Sequence, residues 1–190
     1  MTRTFIALNM NKAMQSHLSG VIQQVATVLP ELRCVDASNI HLTLAFLGEL
    51  DDEQLAAAAA ATQEAAQQAT SFTYRLTGLG IFGSPRQPRV LWMGLQEPTG
   101  SLTRLHASLS HSLIQRGFSV DSRPFSPHLT LARGKAPLNP EAQSALQKLL
   151  SGTAPSRQSY PATYLHVMKS QFTPAGVKYS SLHSYPLKPQ

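Results

Sequence analysis

The tetrapeptide His-Leu-Thr-Leu is written twice, at residues 41–44 and again at 128–131. The two histidines lie 128 − 41 = 87 residues apart in a chain of 190. Each copy alternates polar and apolar side chains, the period of a strand with one face in a core and the other in water. His41 and Thr43 then share one face, as do His128 and Thr130, while Leu42, Leu44, Leu129 and Leu131 point the other way. Each copy offers one imidazole and one hydroxyl from an anchored strand. Two such strands facing one another would line a cleft with both sets.

The flanks supply alternating strands and helices. Thr4–Asn9 is a short strand-like run, and a helix is predicted from Lys12 to Leu29, stopped by Pro30. Ile40–Leu47 reads as a strand. Asp51 then caps a helix, with Asp52 and Glu53 in the first turn, where the helix dipole favours them. The alanine-rich run Leu55–Ala69 has the highest helix propensity in the chain. Phe72–Leu79 and Val90–Leu95 read as strands, and a helix from Ser101 to Arg116 ends at Gly117. A strand at Pro127–Ala132, a helix near Glu141–Leu150 and strands at Tyr164–Phe172 and Val177–Tyr185 complete the chain. The pattern predicts an α+β fold with mainly antiparallel pairing. No disordered linker splits it, so residues 1–190 are expected to form one domain with two related halves.

Composition narrows the class of partner. Sixteen Lys+Arg against ten Asp+Glu give a formal charge of +6, which favours a polyanion such as nucleic acid or a phosphorylated substrate. Cys34 is the one cysteine and has no internal disulfide partner, which suits a reducing cytoplasm. The N-terminal apolar run is too short for a signal peptide, and no stretch reaches transmembrane length. A cytoplasmic protein that does not engage a membrane, and is a monomer, is expected.

The doubled motif suits chemistry at phosphorus. Two histidines titrating near neutrality can serve as acid and base on opposite sides of a reacting phosphate. One takes a proton from attacking water and the other protonates the leaving oxygen. Hydroxyls of Thr43 and Thr130 can donate to the non-bridging oxygens, where charge accumulates. Arg133, in HLTLAR, is placed to neutralise phosphate charge. The scheme requires no metal, cofactor or covalent intermediate. A single HLTL ordinarily marks a half-buried strand; the second copy is what points to catalysis.

With the contexts HLTLAFLG and FSPHLTLAR, the two motifs resemble those of the two-histidine phosphoesterases. Within these, the chain most resembles the RNA 2′,3′-cyclic phosphodiesterase family, also called 2′-5′ RNA ligase. RTFIAL at residues 3–8 and PRVLWMGL at 88–95 are similar to that family's opening and central strands. The resemblance implies a bilobal, pseudo-two-fold α+β fold, with two mainly antiparallel sheets facing a central cleft and helices packed outside. It implies metal-independent hydrolysis of RNA ends or nucleoside 2′,3′-cyclic phosphates to a 2′-phosphate, and 2′-5′ ligation when an RNA 5′-hydroxyl replaces water. His41, Thr43, His128 and Thr130 match the family's signature, with His128 as the base and His41 as the acid. Two alternatives stay open: a non-catalytic RNA-binding module, and a relative acting on another cyclic or 2′-5′ phosphodiester.

Other features read as ordinary structure. GLGIFG at 78–83 matches a dinucleotide-binding pattern, but SPRQPR follows where a helix would be needed, so a strand end and turn are expected. Arg86 and Arg89 in that loop are either phosphate contacts or solvated charge. Phe46, five residues beyond His41, should face away from it on a regular strand and pack in the core. Trp92 is expected in the core too. His106 and His111 are expected on the surface, and His17, His166 and His183 have no partner pattern. The acids are unclustered apart from Asp51–Glu53, as a metal site would not be.

Overall fold

A computed structural model describes residues 1–174 and 176–190, the side chain of Asn9 aside. Among the described residues there are nine strands and four α-helices. In chain order these are β1 (Thr2–Asn9), α1 (Lys12–Val28), β2 (Arg33–Cys34), β3 (His41–Leu50), α2 (Asp52–Gln68), β4 (Phe72–Gly83) and β5 (Pro88–Gln96). Then come α3 (Ser101–Gln115), β6 (His128–Arg133), α4 (Pro140–Gly152), β7 (Ser159–Ala162), β8 (Tyr164–Thr173) and β9 (Gly176–Pro186). No helix among the described residues is long and apolar enough to cross a membrane.

The strands run in the order β7-β4-β5-β6-β3-β1-β8-β9, with β2 on the free edge of β6, and every strand ladder is antiparallel. The order is symmetric about the β6–β3 junction, four strands to each side. That junction rests on one register pair, Leu42 opposite Leu129. The expected two sheets are thus the halves of one nine-stranded sheet, joined at the leucines of the two repeats.

One face carries the helices and the main core. Leu42, Leu44, Leu129 and Leu131 are all buried there with Leu102, Leu105, Leu109 and Leu113 of α3. Truncating any one of these leucines to Ala would cost about 2–5 kcal/mol. The alanine run of α2 lets that helix sit close, burying Ala61, Ala65 and Ala66 in the same core. Asp51 caps it as expected, in a capping box with Gln54. The opposite face has no helix over it and holds only a small apolar cluster, Phe5, Ala7 and Met168.

Both repeats carry a β-bulge at the same residue. Thr43 is opposite Ala7 and Ala45 opposite Ile6, which leaves Leu44 unpaired. Thr130 is opposite Trp92 and Ala132 opposite Leu91, which leaves Leu131 unpaired. An extra residue resets the alternation. The residue five beyond each histidine therefore returns to the histidine's own face: Phe46 opposite Phe5, and Arg133 opposite Val90.

Candidate active site

β3 and β6 both begin on their histidine, and the two rings are held in the same way. His41 Nδ1 donates to the Asn39 carbonyl and His128 Nδ1 to the Ser126 carbonyl, each at 2.8 Å. A carbonyl only accepts, so the neutral rings carry their proton on Nδ1 and a lone pair on Nε2. The symmetry passes through the Leu42–Leu129 pair, so His41 lies on the Thr130 side of it and His128 on the Thr43 side. Thr43 is exposed on the open face and Thr130 is half-buried there.

Aromatic rings floor each half. Phe5 and Tyr179 pack on the His41 ring at 4.5 and 4.9 Å between centroids. Phe82 meets His128 edge-on at 4.9 Å, and Trp92 lies 6.3 Å away. Trp92 is half-buried on the open face, not in the core, and it lies over a glycine. A Cβ added at Gly80 would come within 2.2 Å of the indole. This accounts for one glycine of GLGIFG, which runs along β4 into a turn and β5 with no helix following.

The His41 ring is perturbed electrostatically. Burial holds His41 below the usual histidine range, the Asn39 carbonyl partly restores it, and the positive charge of Arg133 lowers it further. Arg133, exposed on β6, thus acts across the junction on the histidine of the other half. It also stands directly opposite Arg33 of β2. Like charges at such a spacing repel, and among the described residues neither guanidinium forms an ion pair. An anion between them would relieve that repulsion. Sequence reasoning missed Arg33, because a two-residue strand has no periodicity to detect.

Several expectations change. Phe46 is 54% exposed on the open face, not in the core, because the Leu44 bulge breaks the regular alternation. His106 is half-buried rather than exposed and stacks on Phe125 with centroids 3.9 Å apart. At the bulge of the second repeat the Leu131 carbonyl receives the Val35 N–H at 2.8 Å. His166 sits opposite Ala7 on the open face, with Nδ1 2.8 Å from the Ser184 hydroxyl. His17 and His111 are exposed. Arg86 lies at the β4–β5 turn, and Arg89, unpaired at a register shift between β4 and β5, is exposed. Among the described residues no group of three or more His, Cys, Asp or Glu is placed to hold a metal ion.

Asn39 ties the two edges of the His41 half together. Its carbonyl orients His41, and its side-chain amide donates to the Val177 carbonyl at 3.2 Å. That bond fixes the start of β9, the strand that carries Tyr179 onto the His41 ring.

The family model of the 2′-5′ RNA ligase superfamily matches residues 15–171. An RNA 2′,3′-cyclic phosphodiesterase of Geobacillus stearothermophilus is 32% identical over 186 residues, covering 96% of this chain and 56% of the relative's length. One from Methanothermobacter thermautotrophicus is 26% identical over 97% of this chain and 98% of its own. The crystal structure of E. coli LigT complexed with 3′-AMP superposes with a TM-score of 0.76 at 29% identity, over 98% of both chains. With the doubled histidine motif on the two central strands of the same fold, this chain belongs to the 2′-5′ RNA ligase superfamily.

Proposed function

We propose that the protein is an RNA 2′,3′-cyclic phosphodiesterase that opens the cyclic phosphate to a 2′-phosphate. The observation that carries this is the mirrored pair of imidazoles, each with Nδ1 bound to a carbonyl and Nε2 left for chemistry. Water adds to phosphorus as the bond to the ribose 3′-oxygen breaks. One histidine accepts the water's proton and the other supplies a proton to the 3′-oxygen. Thr43 and Thr130 donate to the non-bridging oxygens, and Arg133 balances their charge. An RNA 5′-hydroxyl in place of water gives a 2′-5′ bond by the same proton transfers.

His128 serves as base and His41 as acid in this proposal. The more enclosed ring, packed by Phe5 and Tyr179, suits the leaving oxygen, while water reaches the more open one. His41 is held below its ordinary range in the free protein. A bound phosphate offsets the Arg133 charge and favours the protonated ring the acid role requires. All these groups come from one chain, which supports action as a monomer, and the lone thiol of Cys34 fits the cytoplasm.

The test is incubation with a nucleoside 2′,3′-cyclic phosphate in excess EDTA, with the product identified by phosphorus NMR. A 2′-phosphate is expected, with His41→Ala and His128→Ala each losing about 10²–10⁴ in kcat. Wild-type rates in a folded double variant would exclude the mechanism. Unchanged substrate with measurable RNA binding would point to a non-catalytic module.

A further inference from the structure

Beyond His41 the open face continues as a line of aromatic side chains. Phe5, which packs on the His41 ring, stands opposite Phe46 in the β1–β3 ladder, where side chains come within about 4.5–5.5 Å at Cβ. The next open-face residue on β1 is Arg3. Its guanidinium lies 5.0 Å from the Phe46 ring centroid and 5.4 Å from that of Phe172 on β8. Phe5 is buried and forms a floor, whereas Phe46 is 54% and Phe172 72% exposed. Arg3 forms no ion pair among the described residues. Large exposed apolar rings are uncommon on a soluble surface unless something covers them. Here two such rings flank a free cation, in continuity with the candidate catalytic histidine.

Resting on the proposed activity, we propose that Phe46, Arg3 and Phe172 form a docking ledge for single-stranded RNA, taking the nucleotides that precede the terminal cyclic phosphate. A 2′,3′-cyclic phosphate closes the 3′ end of a strand, so the rest of a bound RNA runs away from the histidines in the 5′ direction. Stacking on π-faces suits any base, and the guanidinium between the rings offers its N–H groups to the connecting phosphates. Phe5, packed on the His41 ring and paired with Phe46, joins the histidine to the ledge without a gap. The ledge lies on one half only, because Arg133 occupies the position of Phe46 in the other. The protein thereby distinguishes RNA ends from free cyclic mononucleotides.

The experiment compares wild type with Phe172→Ala, Phe172→Tyr and Arg3→Gln, all at exposed or half-exposed positions where folding is checked by circular dichroism. Two quantities are measured. One is the ratio of kcat/KM for a hexaribonucleotide ending in a 2′,3′-cyclic phosphate to that for a 2′,3′-cyclic mononucleotide. The other is binding, by fluorescence anisotropy, of a labelled hexaribonucleotide with a plain 3′-hydroxyl, which cannot be turned over. The ledge predicts that Phe172→Ala and Arg3→Gln each lower the ratio and weaken hexamer binding about tenfold, while Phe172→Tyr keeps both. Equal ratios and equal binding in all four proteins would overturn it while leaving the proposed activity standing. If wild type hydrolyses neither cyclic phosphate, the activity fails and the anisotropy decides alone. Weaker binding in the two variants then supports the ledge, and unchanged binding removes it.

Discussion

Phe46 and Arg133 stand at the same point of the two half-sites. Each follows its histidine by five residues, and each is turned onto the open face by a bulge two residues before it. The halves therefore repeat the imidazole and hydroxyl and differ in what lies beside them. One half ends in an aromatic ring and the other in a guanidinium, so a symmetric frame presents two chemically different flanks.

Arg133→Gln should raise the pKa of His41. Burial still holds the ring below its ordinary value, but the repelling charge is gone, so the shift is upward and partial. Proton NMR of the His41 ring across pH 4–8 measures it. A downward shift would mean that Arg133 does not face His41 in solution. The same variant should raise KM for a cyclic phosphate by about tenfold, from one lost charge-assisted hydrogen bond.

Histidine burial sets the acid side of stability. His41, His106 and His166 all sit below the ordinary value because burial disfavours the charged ring. The unfolded chain then binds more protons as pH falls below about 6.5. Stability is flat above that value, declines as pH drops through the window, and levels once the folded rings are also charged. Thermal unfolding should show a lower Tm at pH 5 than at pH 7.5. His166→Gln should shrink the difference, and an unchanged pH dependence would remove His166 from the set.

His106→Ala should destabilise the protein by about 0.5–3 kcal/mol, because it removes a half-buried ring from α3. Loss of the Phe125 stack adds to this, and Phe125 immediately precedes Ser126, whose carbonyl orients His128. Urea denaturation gives the energy. A drop in kcat exceeding the drop in folded fraction would show that the His128 half-site is disturbed.

Gly80→Ala places a methyl group where the Trp92 indole lies. The ring must lift, and it shares the open face with His128 and Phe82. Tryptophan fluorescence should shift to the red as Trp92 gains water, with turnover falling alongside. An unaltered emission spectrum would show that the strand yields instead of the ring.

Much of this was legible in the repeated tetrapeptide, because alternation fixes a strand's faces without knowledge of its neighbours. The leucines of both copies lie in the core, and the histidines and threonines lie on the open face. The capped alanine helix was legible for a similar local reason. Phe46 and Trp92 were not. The face of Phe46 depends on the bulge at Leu44, which exists only through pairing with β1, while Trp92 alternates with the buried Leu91 and Met93 on a strand whose core face its own sequence does not mark. Arg33 was hidden because its position comes from the register of β2 against β6. His106 looked unremarkable because its stacking partner, Phe125, comes from beyond the end of α3, 125 − 106 = 19 residues later.

The strand next to the His41 copy has a partner at the far end of the chain. β1 lies between β3 and β8, and Thr4 pairs with Lys169, 169 − 4 = 165 residues later. Pairings of such range are slow to form, because a long loop must close before any contact rewards it. During synthesis, β4, β5 and β6 can assemble around His128 while β1 still shows an open edge to solvent or to a chaperone. Only when the β8–β9 hairpin emerges do Tyr179 and the Val177 carbonyl reach His41 and Asn39. A chain cut short in its last twenty or so residues would therefore keep both histidines and lose the fit of one of them.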